Sequence, residues 1–95
     1  MQINERLLVD VLSVRALGGY RLWARFSDGS EGVYDFSGLM DEPGPMLEPL
    51  KDENYFKRVF VEMGAPTWPN GYDVAPDWLY RELLAAGTLA RPPPA

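Results

Sequence analysis

The chain has 95 residues, 46% of them hydrophobic, and a formal net charge of −5. A chain of this length forms one compact domain, and its apolar content argues against disorder. It contains no cysteine, which excludes disulfides and thiolate metal sites. It also contains no histidine, which excludes the usual serine–histidine and cysteine–histidine nucleophiles. We therefore predict a single domain over residues 1–95 that is not an enzyme and uses no cofactor.

The acidic charge is unevenly distributed. Residues 1–27 carry four arginines and two acids, a local charge of +2. The remaining residues carry five basic and twelve acidic side chains, a local charge of −7. Nucleic-acid affinity depends on clustered Lys and Arg that displace counterions from phosphates. Direct nucleic-acid binding is therefore not expected. We expect instead a protein partner or self-association.

The N-terminal stretch MQINERLLVD is charged where a signal peptide needs an apolar run. No segment reaches the roughly 18 apolar residues of a membrane span. Together with the lack of cysteine, these features predict a cytoplasmic protein without membrane contact.

Three strands are predicted in the first 36 residues. Residues 7–17 alternate between apolar and polar, with a change of phase near Val11 that is typical of a bulge. After Gly18-Gly19, residues 20–26 alternate strictly. Residues 30–36 form the third strand after an Asp28-Gly29 turn.

Two registers are possible for the second hairpin. A two-residue loop would place Leu22 opposite Asp35, which mixes a carboxylate into the apolar face. A three-residue loop over residues 28–30 would place Leu22 opposite Phe36 and make that face apolar throughout. We therefore predict the three-residue loop.

The second half of the chain predicts a proline-rich loop, a short helix within residues 50–58, two short strands and a terminal helix. Asp52 is placed to cap the short helix, and residues 59–63 and 67–68 read as strands. Pro76 suits the first position of the last helix and Gly87 its end. The predicted class is α+β, with one antiparallel sheet of about five strands and both helices on one face. The predicted core spans about 7–87, with a frayed proline-rich tail over 88–95.

Two carboxylates near the last helix are candidates for acid–base chemistry or metal binding. Asp73 and Asp77 are four residues apart, but spacing alone does not make such groups converge. The structural interpretation has Asp77 interacting with the helix N-terminus and Asp73 capping the preceding turn. We favour the structural interpretation.

The segment TWPNGYDVAPDWLYREL, residues 67–83, is dense in aromatic side chains. We predict that Trp68, Tyr72 and Tyr80, together with Leu79, pack the last helix across the sheet. Trp23 and Trp78 lie outside the apolar stripes, and an exposed Trp beside Arg is typical of a protein interface, although it is also common as a stacked surface pair. The candidate protein-binding residues are Arg21, Trp23, Arg25, Trp78 and Arg81. If both tryptophans are exposed on one side of the molecule, an interface is the preferred explanation.

The stretches FSDGSEGVYDFSGLM and LEPLKDENYFKRVFVEMGAPTWPNGYDVAPDWLY resemble the family called domain of unknown function 2442. The resemblance covers roughly residues 8–80, and its W-P-N-G-x-D-hydrophobic-x-P-x-x-L-Y motif is specific. The motif residues in this chain are Asp28, Gly29, Trp68, Pro69, Asn70, Gly71, Asp73, Pro76, Leu79 and Tyr80.

The resemblance implies a small bacterial α+β domain of no established activity. Members are sometimes fused to a helix-turn-helix and are often encoded beside another small protein, an arrangement similar to toxin–antitoxin pairs. It thus implies an acidic, antitoxin-like module that binds the product of a neighbouring gene. A homo-oligomeric structural domain is the alternative, and a carboxylate-based enzyme or metal-binding domain is a third.

Overall fold

The structure is a computed structural model, and it describes residues 9–91. Five antiparallel strands and two α-helices confirm the predicted α+β class. The strands are β1 (Val11–Gly18), β2 (Arg21–Phe26), β3 (Glu31–Asp35), β4 (Phe60–Glu62) and β5 (Ala65–Thr67). The helices are α1 (Glu53–Phe56) and α2 (Pro76–Ala86), with 3-10 turns at Leu39–Asp41 and Pro49–Lys51. The predictions for residues 7, 8 and 92–95 lie outside the described residues.

The five strands form two sheets, not the single sheet we predicted. One sheet has the order β1-β2-β3 and the other is the β4-β5 hairpin. The pairing of β1 with β2 shifts between Val11 and Ser13, which is the bulge that the change of phase predicted. At that bulge the Val11 amide donates to the carbonyl of Gly64, at 2.8 Å. Because a bulge bends its strand, β1 meets the small hairpin at this point instead of pairing along it.

The predicted register of the β2-β3 hairpin is wrong by two residues. Leu22 pairs with Tyr34, and the three-residue loop is 27–29 instead of 28–30. The turn itself decides this, because Gly29 has a φ of 89° and takes the left-handed third position of the loop. The Asp28 carboxylate accepts from the Ser30 amide at 2.9 Å and holds the turn. A shift of two residues preserves the faces, so the predicted apolar face is still the buried one.

Trp68 lies at the centre of the hydrophobic core. It is 1% exposed, and its ring packs 5.4 Å from the ring of Phe56 and 6.5 Å from that of Phe36. Its indole N–H donates to the carbonyl of Phe56 at 2.9 Å, so its polar atom is satisfied inside the core. The prediction that this tryptophan is a packing residue is confirmed.

Helix α2 covers the inner face of the three-stranded sheet. Leu79, Tyr80 and Leu83 are its buried residues, and Gly87 ends it with a φ of 73°. Residues 88–91 belong to the tail that we predicted to fray, but they contact the sheet. The Ala90 amide and carbonyl bond to Glu31 at 2.7 and 3.0 Å, which adds one bridge to the edge of β3. This contact is long-range in sequence, and so no local pattern indicated it.

Candidate functional site

Most motif residues have a structural role. The Tyr80 hydroxyl donates to Asp28 at 2.7 Å and ties α2 to the hairpin turn. Gly71 closes the turn by donating from its amide to the Trp68 carbonyl at 2.8 Å, at a φ of 91°. The Asn70 side chain donates to the Met46 carbonyl at 3.0 Å and anchors the proline-rich loop. Through these contacts the motif residues join the proline-rich loop, the small hairpin and α2.

Asp73 is the exception. Its backbone forms a bridge with Thr67, but its carboxylate makes no hydrogen bond or ion pair with any residue in the range 9–91. The residue at the cap of α2 is Ala75, and no side chain caps the helix. The prediction that Asp73 caps the preceding turn is therefore wrong. Asp77 does lie in the first turn of α2, as predicted.

The exposed Trp78 lines two neighbouring clefts. It is 37% exposed, and its ring meets that of Tyr34 nearly edge-on at 5.5 Å. One cleft has a volume of about 440 Å³ and lies between α2 and the loop after β3, where it is lined by Glu42 and Leu47 among others. The other has a volume of about 300 Å³ and extends towards Asp73. The two clefts share Leu39 and Trp78, and together we call them the Trp78 groove.

The Trp78 groove combines an apolar floor with an acidic rim. Its rim carboxylates are those of Glu42 and Asp73, and among residues 9–91 no lysine or arginine lines either cleft. The rim is therefore negatively charged at neutral pH, and it favours a ligand that is both apolar and basic.

Trp23 lies on the other side of the three-stranded sheet. It pairs with Arg15 and Val33 across the strands, on the face opposite to the buried Leu22. The Trp23 indole N–H donates to Glu31 at 2.9 Å, and the Arg15 guanidinium lies 5.5 Å from its ring centroid. We call this surface the outer sheet face.

Three arginines surround Trp23 on the outer sheet face. They are Arg15, Arg21 and Arg25, whereas the carboxylates on this face are Glu31 and Asp35. None of the three forms a salt bridge with another residue in the described range. The outer sheet face therefore carries a local positive charge on a protein that is acidic overall.

The structure separates the predicted protein-binding residues. Trp23, Arg21 and Arg25 lie on β2, whereas Trp78 lies on α2 at the opposite face of the sheet. Arg81 pairs with Asp77 at 3.4 Å and is not among the residues lining the groove. The two tryptophans therefore do not form the shared patch on which the interface prediction depended.

The sequence reasoning missed several residues of both surfaces. Leu39 and Glu42 reach the groove from the loop after β3, and no periodic pattern could have indicated this. Arg15 was detectable in principle, because a cross-strand neighbour of Trp23 follows from the register of the first hairpin.

None of the described helices is both long and apolar enough to cross a membrane.

A family model described as "Protein of unknown function (DUF2442)" matches residues 11–84. No curated protein matches the chain significantly. Among solved structures, the chain is similar to a protein from Nitrosomonas europaea that is named a "Putative DNA Binding Protein". The two share 30% identity with a TM-score of 0.60, over 72% of this chain and 44% of that one. The present chain thus spans less than half the length of that protein.

This similarity corrects one expectation. We predicted from the acidic composition that direct nucleic-acid binding is not expected, and the name of the Nitrosomonas protein contradicts this. The net charge averages over the whole surface, so it does not exclude a local positive surface. The arginines of residues 11–26 gather on one face of the sheet, while many of the acids lie elsewhere.

Proposed function

The chain belongs to the DUF2442 family, whose function is unknown, and we propose that it is a protein-binding module whose Trp78 groove receives a segment of a partner protein. The observation that carries this proposal is the exposed Trp78, which lines both clefts. Truncation of a Trp that fills such a position commonly reduces affinity most. The module acts by binding and not by catalysis, which agrees with its lack of histidine and cysteine.

Charge complementarity indicates the chemistry of the partner. A groove bordered by Glu42 and Asp73 attracts a segment that carries lysine or arginine beside aliphatic side chains. An antitoxin-like protein that neutralises a basic partner is one specific form of this proposal, and the net charge of −5 supports it. The same charge favours rapid association with a basic partner at low salt.

Selection from a randomised library of short peptides tests the proposal. The full chain is the bait, and Trp78→Ala and Trp23→Ala are the two comparison variants. We expect enriched peptides whose affinity falls by about 30-fold with Trp78→Ala, as for an interface Trp worth about 2 kcal/mol, and by less than about 2-fold with Trp23→Ala. Equal binding to both variants, or no enrichment, would contradict the proposal.

Nuclear magnetic resonance provides a second readout that does not depend on a destabilising substitution. The chain has three indole N–H groups, which belong to Trp23, Trp68 and Trp78. Titration with a selected peptide is expected to shift the Trp78 indole signal most. A peptide that shifts only the Trp23 signal would locate binding on the outer sheet face and refute the groove.

A second candidate function is nucleic-acid binding through the outer sheet face. The observation that favours it is the group of three arginines around Trp23, together with the name of the similar Nitrosomonas protein. Arginines neutralise phosphates, and the half-buried Trp23 ring lies beside one of them. Glu31 and Asp35 on the same face limit the affinity.

Fluorescence anisotropy with labelled single- and double-stranded oligonucleotides tests this candidate. If all three arginines contact phosphates, the slope of log affinity against log salt is about −2 to −3. Arg15→Ala is expected to reduce both affinity and slope, whereas Arg81→Ala, on α2, is the matched control of equal charge change. Equal loss with both variants would mean nonspecific attraction and would contradict a site on this face.

A further inference from the structure

A third cleft shares Asp73 with the Trp78 groove. This cleft has a volume of about 260 Å³ and is lined by Phe60, Met63 and Pro69 among others. Asp73 lines both this cleft and the one beside Trp78. A segment that contacts both Trp78 and the β4-β5 hairpin would have to pass Asp73.

Asp73 has the features of a recognition residue. Its backbone is fixed, because the neighbouring Val74 amide donates to the Pro66 carbonyl at 3.0 Å and Asp73 itself bridges to Thr67. Its carboxylate has no partner among residues 9–91. An exposed carboxylate without a partner is available to pair with a cation of a bound segment.

The tip of the β4-β5 hairpin supplies an apolar contact on the far side of Asp73. Met63 is 94% exposed and has a φ of 52°, in the left-handed region that a methionine rarely adopts. Met63 and Gly64, which has a φ of 78°, form the two-residue loop of the hairpin, and such loops require this conformation. Methionine is also a side chain that adapts well to varied apolar partners.

We infer that Asp73 selects a lysine or arginine of the bound segment, and that apolar side chains flank this residue on the Trp78 and Met63 sides. This inference rests on the proposed function of the Trp78 groove. It adds a specificity-determining residue and a sequence pattern for the partner. The pattern is an apolar residue, a basic residue and a second apolar residue in an extended segment.

The test uses the peptides selected above, their variants with glutamate in place of the basic residue, and three protein variants. Asp73→Asn is expected to weaken binding of the basic peptide by about 10-fold, and Asp73→Lys to prefer the glutamate peptide. Asp77→Asn is the matched control, because it removes the same charge from the adjacent helix and is expected to change affinity by less than about 2-fold. Met63→Asn should weaken binding while leaving the protein folded.

The outcomes separate this inference from the proposed function. Loss of binding with Trp78→Ala but equal effects of Asp73→Asn and Asp77→Asn would overturn the role of Asp73 and leave the groove intact. Selected peptides without a basic residue would overturn it as well. No loss with Trp78→Ala would refute the proposed function itself. Thermal unfolding of each variant shows whether a lost affinity reflects a lost fold.

Discussion

Replacement of Gly32 by alanine tests how closely α2 and the residues after it approach the sheet. A Cβ at this position would lie 2.7 Å from the Thr88 carbonyl oxygen and 3.2 Å from a δ-carbon of Leu83. Carbon–oxygen contacts without repulsion begin near about 3.3 Å, so the chain must move by roughly 0.6 Å. Overpacking of this kind costs about 1–3 kcal/mol. The loss of glycine entropy from the unfolded state offsets about 0.4–1 kcal/mol of that cost.

We therefore expect Gly32→Ala to reduce the free energy of unfolding by about 1–2 kcal/mol. For a domain of this size, each kcal/mol lowers the melting temperature by about 4–8 °C. Thermal and urea unfolding, followed by circular dichroism, measure the change. Gly38→Ala is the control, because Gly38 has a φ of −64° and nothing lies within 4 Å of the added methyl. Its stability is expected to be unchanged or slightly higher, and a Gly32→Ala variant of unchanged stability would refute the close approach.

Three further substitutions test the turns and the motif. Met63→Asn is expected to raise the free energy of unfolding by about 0.5–1 kcal/mol, because asparagine tolerates the left-handed φ of 52°; chemical denaturation measures it. Tyr80→Phe is expected to reduce the free energy of unfolding by about 1 kcal/mol at neutral pH, since it removes the hydroxyl that donates to Asp28 at 2.7 Å. Asn70→Ala is expected to reduce the free energy of unfolding by about 1 kcal/mol. It should also speed hydrogen exchange at the Leu47 amide, because the proline-rich loop loses its hydrogen bond at Met46.

The Tyr80→Phe prediction includes a pH dependence. Burial raises the pKa of Asp28, but the hydrogen bonds from Tyr80 and Ser30 outweigh this and lower it below 3.8. A carboxyl whose pKa is lower in the folded state stabilises the protein above its unfolded pKa and loses that contribution as the pH falls through its folded pKa. The difference between the variant and the wild type should thus shrink below pH 3.8. A difference that stays constant down to low pH would contradict the assigned bond.

The other two predictions have their own controls. Asn70→Asp keeps the oxygen that accepts from the Tyr72 amide but loses the donor to Met46, so it should retain part of the stability. Met63→Ala keeps the strained backbone, and it is expected to be no more stable than the wild type. Equal stabilisation by Met63→Ala and Met63→Asn would show that the removed side chain matters and not the backbone conformation.

Local chemistry made much of the fold predictable. Helix α2 follows from Pro76, Gly87 and the spacing of its apolar residues, and the turn at residues 68–71 follows from Pro69 and Gly71. The register of the second hairpin failed because we used the apolar face to choose it. Registers that differ by two residues have the same faces, and only the position of Gly29 in the turn distinguishes them.

The candidate site was harder to predict than the fold. The Trp78 groove joins Trp78 to Leu39, which lies 39 positions earlier in a loop without periodicity. The separation of Trp23 from Trp78 depends on which face of the sheet α2 covers, and this is a property of the tertiary structure. Asp73 could not be told apart from the other motif residues in the sequence. The structure separates it, because Asn70, Gly71 and Tyr80 have hydrogen-bond partners and the Asp73 carboxylate has none among residues 9–91.

The bridge between Ala90 and Glu31 has a practical consequence for anyone who shortens this protein. A version that ends at Gly87 would remove the bonds that Ala90 makes and the carbonyl of Thr88 that lies over Gly32. The start of β3 would then present unpaired amide and carbonyl groups to solvent, and an uncovered strand of this kind invites aggregation. Expression trials should therefore retain residues 88–91, although the sequence there looks dispensable.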